Sequence, residues 1–369
     1  MSPLPEIVAF SSDSWRKHSV EFSVGEFTGA IGDSVTVFPV VVAIAALTEL
    51  SLTHLLLGFA VFQIVWGLYY GLPVSVEPMK ALAALVIAGA LTASELAVAG
   101  LLAGVVLLVV GWTGTLGRIE QYVGQPVIRG VQLGVGLLLL ETGIQLSLDG
   151  VTLALLSVGV AVVVIVAGYQ KASALVVLGV GVVFTITQVG VPSPQLPAFT
   201  VGLPSLSSVS VATLEGTVAQ LAMTVGNAAV ATSLLLSDYY DADVSADELS
   251  TSMGVMNLFA IPLGAMPMCH GSGGVAGKYA FGARTAGANV ILGVIYAVAA
   301  VLAVGIVTAF PLPMLGIVLG LIAIELGRAG LDTDHLPLTL GIGLLGVATN
   351  IGIAFVVGAL GYLLLEHRR

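Results

Sequence analysis

Pro267 to Gly274 reads PMCHGSGG, and Pro73 to Lys80 reads PVSVEPMK; both stretches lie between long apolar runs. Proline, glycine and polar residues packed this closely cannot continue a membrane helix. Non-helical backbone at membrane depth is tolerated only where it is buried in protein or lines a cavity. Each stretch also follows a polar notch in a preceding apolar run, Gly32-Asp33 in the first half and Gly226-Asn227 in the second. Gly226 lies 194 residues after Gly32, and Pro267 lies 194 residues after Pro73. Paired, interrupted segments at one spacing are the mark of a secondary transporter built from two structural repeats, with its binding site at the interruptions.

Composition supports a membrane protein. Of 369 residues, 57% are hydrophobic and 9% charged, and the mean hydropathy is +1.09. Spans of bilayer-crossing length number about twelve to fourteen, joined by short connections. If each half holds seven spans, an odd number, the halves are inverted with respect to the membrane. The expected fold class is an all-α polytopic membrane protein, a two-repeat transporter of about twelve to fourteen spans. The expected divisions are an N-terminal segment 1–25, a first repeat 26–190, a connecting loop 191–211 and a second repeat 212–366, with no C-terminal soluble domain. Trp15-Arg16-Lys17-His18 is too polar for a signal peptide and no small-residue cleavage site follows, so the first apolar run is a true span.

The net charge of −10 comes largely from polar connections such as SDYYDADVSADE, Ser237 to Glu248, read as a solvated surface. Nine cations fall at segment ends: Arg16, Lys17, Arg118, Arg129, Lys171, Arg284, Arg328, Arg368 and Arg369. With fourteen spans and a cytoplasmic N-terminus all nine are cytoplasmic, as are both termini. Lys80 and Lys278 remain within the membrane. Cys269 is the one cysteine, which excludes an intrachain disulfide and a multi-cysteine metal site. No metal, cofactor or nucleic-acid partner is expected; the lipid bilayer is the surrounding partner.

Val74 to Glu77 reads as extended, Pro78 suits the first turn of a helix, and Met79 to Leu91 continues as helix. Such a helix rises only about 20 Å and must start near the midplane. Pro267 to His270 is likewise extended, and Gly271-Ser272-Gly273-Gly274 opens a helix through Phe281. Two half-helices preceded by short extended strands would then present their N-terminal N–H groups and dipoles to one cavity, which suits an anion. Glycines let a ligand approach the backbone, and Ser272 adds a hydroxyl donor. The competing reading of an isolated Gly-Ser-Gly-Gly is a helix-packing surface; the matched partner motif favours the cradle.

Ionisable groups in spans point to function. Lys80 can meet the anion or neutralise Glu77, and the second role is preferred because Glu77 needs a counterion. Glu77 is a candidate for coupling proton and anion binding. Asp33 is expected to bond backbone or Lys80, since a bare carboxylate would repel an anion; Asn227 can donate directly. His270 is either a proton-sensitive ligand or a buried ring satisfied by backbone, and Cys269 a small packing residue. Glu141 and Glu325 are intramembrane carboxylates, either proton-pathway groups or bonded core residues.

Three stretches carry a family resemblance: GAIGDSVTVFP (Gly29 to Pro39), PVSVEPMKALA (Pro73 to Ala83) and MPMCHGSGGVAGKYAFGAR (Met266 to Arg284). The chain resembles the molybdate transporters of the SulP (sulfate permease) anion-transporter superfamily. The resemblance implies a seven-plus-seven inverted-repeat fold divided into core and gate domains, and an anion held between spans one, three, eight and ten, with half-helices three and ten pointing at it. It implies molybdate, or the similar tungstate, moved across the cell membrane by alternating access, and a homodimer as in relatives. The implied substrate contacts are Asp33, Ser75, Val76, Glu77, Lys80, Asn227, Cys269, His270, Gly271, Ser272, Gly273 and Gly274; from their own chemistry Glu77, Asp33 and Glu325 are candidate proton-coupling groups. Glu77 departs from the family's usual Gln, and Lys278 and Ala280 stand where Gln and Arg are usual.

A sulfate or other oxyanion transporter, or a proton-coupled nucleobase carrier, has the same fold and stays open. An intramembrane enzyme built on Cys269-His270 is disfavoured, because neighbours in an extended segment point to opposite faces. A channel would differ in the saturation of its flux.

Overall fold

The computed structural model describes residues 20–117, 124–191, 193–194 and 202–366. Arg16, Lys17, Arg118, Arg368 and Arg369 lie outside the described residues, as do most of segment 1–25 and part of the 191–211 connection. Fourteen helices are numbered here, with single turns left unnumbered. The first half holds α1 (Val24–Leu47), α2 (Leu52–Tyr70), the strand β1 (Val76–Pro78), α3 (Lys80–Ile87), α4 (Ala93–Thr113), α5 (Gln125–Leu148), α6 (Val151–Val166) and α7 (Ser173–Val189). The second holds α8 (Val211–Tyr240), α9 (Ala246–Ala260), the strand β2 (Met268–His270), α10 (Ser272–Ala280), α11 (Gly287–Leu302), α12 (Leu312–Leu331), α13 (Leu336–Ala348) and α14 (Ile351–Glu366).

Among the described residues six helices are long and apolar enough to cross a membrane, namely α2, α4, α5, α7 with its preceding turn, α8 and α12, and bent α1 makes seven. Helices α6, α11, α13 and α14 are apolar but shorter. With 8 and 9 residues, α3 and α10 rise only about 12–14 Å, which leaves each as half a span. The third helix is shorter than the sequence suggests. Pro78 is still in the strand and Met79 is the N-cap, because Pro78 and Met79 stay paired to the facing chain, Met79 through its N–H to the Pro267 carbonyl at 3.0 Å.

The two notches break their helices in different ways. Helix α1 bends by 42° between Val35 and Val37, four residues before Pro39, whose ring removes an N–H and crowds the carbonyl one turn back. At the matching place in α8, Thr224–Val230 winds as a π-helix. Starts and stops follow local chemistry: Ser23, Thr92 and Ser210 cap α1, α4 and α8 through their hydroxyls, and Gly71 and Gly114 end α2 and α4 in left-handed conformation.

The halves interlace. Helix α4 packs on α9 and α11 packs on α2, which is one contact repeated under exchange of each helix with its counterpart seven places on. Helix α5 packs on its own counterpart α12, with α13 and α14 beside them. At the centre β1 and β2 pair antiparallel, Val76 opposite His270. Those two residues are themselves 194 apart. An antiparallel ladder that places equivalent residues opposite each other is what a two-fold axis through the ladder requires, so this pair lies on the axis relating the inverted halves. Apolar side chains cover the outside, such as Leu155, Val162, Val163 and Val166 on α6, while Asp33, Gln63, Glu77, Gln220, Asn257, His270, Lys278 and Asn289 are buried. Polar inside and apolar outside is the arrangement a bilayer imposes.

Candidate functional site

A cavity of about 960 Å³ opens where the strands give way to the half-helices. One wall comes from α1, α3, α8 and the β2–α10 junction, and the other from α5, the start of α7 and α12. Glu77, Lys80, Gln220 and Asn227 line the first wall together with Cys269 to Gly273; Arg129, Gln132, Lys171, Glu325 and Arg328 line the second.

Glu77 sits at the junction and is 1% exposed. One carboxylate oxygen, Oε1, accepts the Gly274 N–H of the first turn of α10 at 2.7 Å, and the other, Oε2, meets Lys80 Nζ at 2.7 Å. The glycines make the room for it. A Cβ on Gly271 would run into the Glu77 carboxyl, and one on Gly274 would run into Ser75 Oγ, Asp33 Oδ1 and Glu77 Oε1. The glycine-rich start of α10 thus admits a side chain of the protein itself, a role that sequence reading gave to an incoming ligand. Lys80 takes the neutralising role preferred from sequence and keeps part of its surface toward the cavity.

The N-terminus of α3 is also capped. Gln220 Oε1 on α8 accepts the N–H groups of Ala81 at 2.9 Å and Leu82 at 3.3 Å, while its Nε2 donates to Thr224 Oγ1 at 2.9 Å. This residue anchors a half-helix to the π-helical stretch of α8. Replacing Gln220 by Leu leaves two buried donors without an acceptor, a cost of about 1–3 kcal/mol per group. The expected result is a lower unfolding temperature of the purified protein, with Gln220→Glu much milder; equal effects of the two would show that the acceptor is irrelevant.

Behind the strands lies a second charged group. Asp33 is fully buried and pairs with Lys278 Nζ at 3.1 Å; it also accepts Ser75 Oγ at 2.5 Å and Gln63 Nε2 at 3.0 Å. Lys278 donates further to Gln63 Oε1 and the Val74 carbonyl at 3.1 Å each, and to Asn289 Oδ1 at 2.7 Å. The expectation that Asp33 would bond backbone or Lys80 is therefore corrected. Lys278 is its cation, because α10 packs along α1 and carries that side chain to it. Asp33, Ser75, Val76 and Gly274 do not line the cavity but lie directly behind its wall.

His270 is buried with both ring nitrogens bonded, Nδ1 to the Ser75 carbonyl at 3.0 Å and Nε2 to Ser252 Oγ at 2.7 Å. The carbonyl requires Nδ1–H. Tyr70 donates to Ser252 at 2.9 Å, and the Ser252 hydroxyl in turn has the Leu249 carbonyl at 2.9 Å as well as His270 Nε2 as partners. Cys269 Sγ lies 3.7 Å from the Pro78 carbonyl, in packing contact. Asn257 holds β2 through the Met268 N–H and C=O at 2.8 and 2.7 Å, as Gln63 holds the Val76 carbonyl of β1 at 3.1 Å. Gln63 and Asn257 are also 194 residues apart, so the repeat spacing applied to buried amides would have found this pair. Gln220 has no such signal. Glu325 faces the cavity from α12, whereas Glu141 lies on an exposed face of α5, 3.4 Å from Gln145 Nε2.

The family model described as "Molybdate transporter of MFS superfamily" matches residues 25–139 and 212–326, together well over half of the chain. The chain belongs to this molybdate transporter family. One matched stretch falls in each half, and between them they contain both strands, both half-helices and most of α12. Among curated proteins the chain is similar to Molybdate transporter 2 of Arabidopsis thaliana, 28% identical over 93% of this chain and 87% of the relative. It is also similar to Molybdate transporter 1 of the same plant, 29% identical over 94% and 89%. The relatives are named as transporters, and no chemical reaction is assigned to the chain. Among solved structures it is similar to the transmembrane domain of the cyanobacterium bicarbonate transporter BicA, with a TM-score of 0.67 and 16% identity over 90% of this chain and 96% of that one. Likeness to SLC26A9 has a TM-score of 0.70 at 13% identity, over 93% of this chain and 65% of that one. At these identities the likeness establishes the fold, seven plus seven helices of the SulP/SLC26 kind.

Proposed function

We propose that the chain carries molybdate across the cell membrane by alternating access, with the α1–α4 and α8–α11 core moving against the α5–α7 and α12–α14 gate. The observation that carries this reading is the cavity at the paired half-helices in a member of the molybdate transporter family. Its core wall offers Lys80 Nζ, the Ser272 hydroxyl and the Asn227 amide. The Ser272 and Gly273 N–H groups belong to the first turn of α10, where a helix leaves donors without internal partners. Donors converging from several directions suit a tetrahedral oxyanion, and tungstate fits the same set.

Orientation and location belong to the same reading. Arg129, Lys171 and Arg328 line the gate side of the cavity and are cations assigned to the cytoplasm by the positive-inside rule. The cavity is then open to the cytoplasm, in the plasma membrane, and its cationic wall draws anions in. The repeats are taken as 26–190 and 212–366. A homodimer is proposed on the family resemblance alone.

The test is the thermal stability of the detergent-purified protein titrated with molybdate, tungstate, sulfate, phosphate and uracil. A ligand that binds only the folded state stabilises it, by about 2.7 kcal/mol at a hundred times its Kd. Micromolar molybdate is expected to raise the unfolding temperature and equal sulfate to leave it unchanged, with the rise lost in Ser272→Leu, whose side chain projects into the cavity. A rise with sulfate or uracil alone would reassign the substrate.

A further inference from the structure

We propose that Glu77 is a tethered anion that occupies the N-terminus of α10 while the site is empty, and that the arriving oxyanion displaces it as the carboxylate takes up one proton. This rests on the oxyanion-transport reading and adds its coupling. The geometry comes first. The Glu77 carboxylate accepts the Gly274 N–H and holds Lys80, so it already engages a donor at the α10 terminus and the cation that an oxyanion would use. The absence of side chains at Gly271 and Gly274 leaves a space filled by this carboxyl group, whereas a Cβ on Gly273, beside the cavity, would have Glu77 Oε1 as its nearest neighbour at 4.0 Å. The carboxylate thus stands between the half-helix and the opening.

Charge balance supplies the second argument. The two cations within the core pair with its two central carboxylates, Lys80 with Glu77 and Lys278 with Asp33. The unliganded core wall is therefore neutral, and a dianion drawn in by Arg129, Lys171 and Arg328 on the gate wall finds no uncompensated cation at α10. Protonating Glu77 removes one negative charge and releases Lys80 to the anion. Other groups near Glu77 do not do this. Asp33 and Lys278 pair with each other behind the strands, Cys269 lies against the Pro78 carbonyl, and His270 has both nitrogens bonded. Across the cavity the gate wall carries Glu325 together with the cations Arg129, Lys171 and Arg328, while Lys80 is the cation paired with Glu77. In the step itself the Glu77 carboxylate gains H⁺ from water on the side to which the cavity is open, the Gly274 N–H exchanges one acceptor for another, and the oxyanion keeps its charge. The proton leaves with the substrate when Glu77 returns to α10.

Proton uptake on binding decides the matter. Purified protein in weakly buffered detergent with an indicator dye is mixed with molybdate, at a pH where molybdate itself is fully ionised. The parent is expected to take up about one proton per molybdate bound, with Kd rising as the pH is raised. Glu77→Gln, whose amide oxygen can still accept the Gly274 N–H, is expected to bind molybdate without proton uptake and with a flat pH dependence, and Glu77→Asp to restore the uptake. Binding by the parent with no proton uptake would overturn the proposal, and so would unchanged uptake in Glu77→Gln. If that variant does not fold, the parent's own proton count is decisive. No saturable molybdate binding at any pH would instead remove the transport reading, and this inference with it.

Discussion

Replacing Lys278 by Met is expected to destabilise the protein by about 3–5 kcal/mol, the usual loss when one partner of a buried ion pair is removed. Lys278 and Asp33 are both fully buried, so the remaining carboxylate has no solvent to turn to. Ser75 and Gln63 still donate to it, but the charge is left without a cation, and Gln63, Val74 and Asn289 each lose a donor as well. The measurement is thermal unfolding of the detergent-purified variant beside the double variant Asp33→Asn, Lys278→Met. Most of the loss should return in the double variant, because the uncompensated charge is gone. A single variant no worse than the double would show that the pair does not hold α1 to α10.

Gly274→Ala is the second large effect, and it falls on transport. The added methyl would run into Ser75 Oγ, Asp33 Oδ1 and Glu77 Oε1 at once, and none of these can move freely, since each is hydrogen-bonded in place. Overpacking of this sort costs about 1–3 kcal/mol. Here it also pushes Glu77 off α10 and loosens the Asp33 cluster, so molybdate uptake in reconstituted vesicles should fall to background. Gly159→Ala on the exposed face of α6 is the control, because its Cβ would meet nothing within 4 Å. Uptake by Gly274→Ala close to that of the parent would mean that the packed arrangement around Glu77 is dispensable.

Several features of the site were open to sequence reading because their causes are local. The half-helices follow from Pro73, Pro78 and Pro267 with the glycines after His270, and the pairing of Lys80 with Glu77 follows from three residues' separation at a helix start. The helix bounds shifted where tertiary pairing intervened: β1 holds Pro78 and delays α3 to Lys80, since Met79 bonds the facing chain. The caps were missed for a related reason. Gln220 is an ordinary amide in an apolar helix, and nothing in its neighbourhood says that the N–H groups of Ala81 and Leu82, 139 and 138 residues away, point at it.

By itself the sequence determined the membrane class, the broken segments and the 194-residue spacing of the inverted halves, because hydropathy, helix breaking and repeat spacing are properties of short windows and of their order along the chain. Only the tertiary structure decided which charges meet. Lys278 could reach Asp33 only because α10 lies along α1, and Glu77 could reach Gly274 only because two strands pair about one axis. Hydrogen bonds and ion pairs form or fail within a few tenths of an ångström, and that placement comes from the packing of helices far apart in the chain.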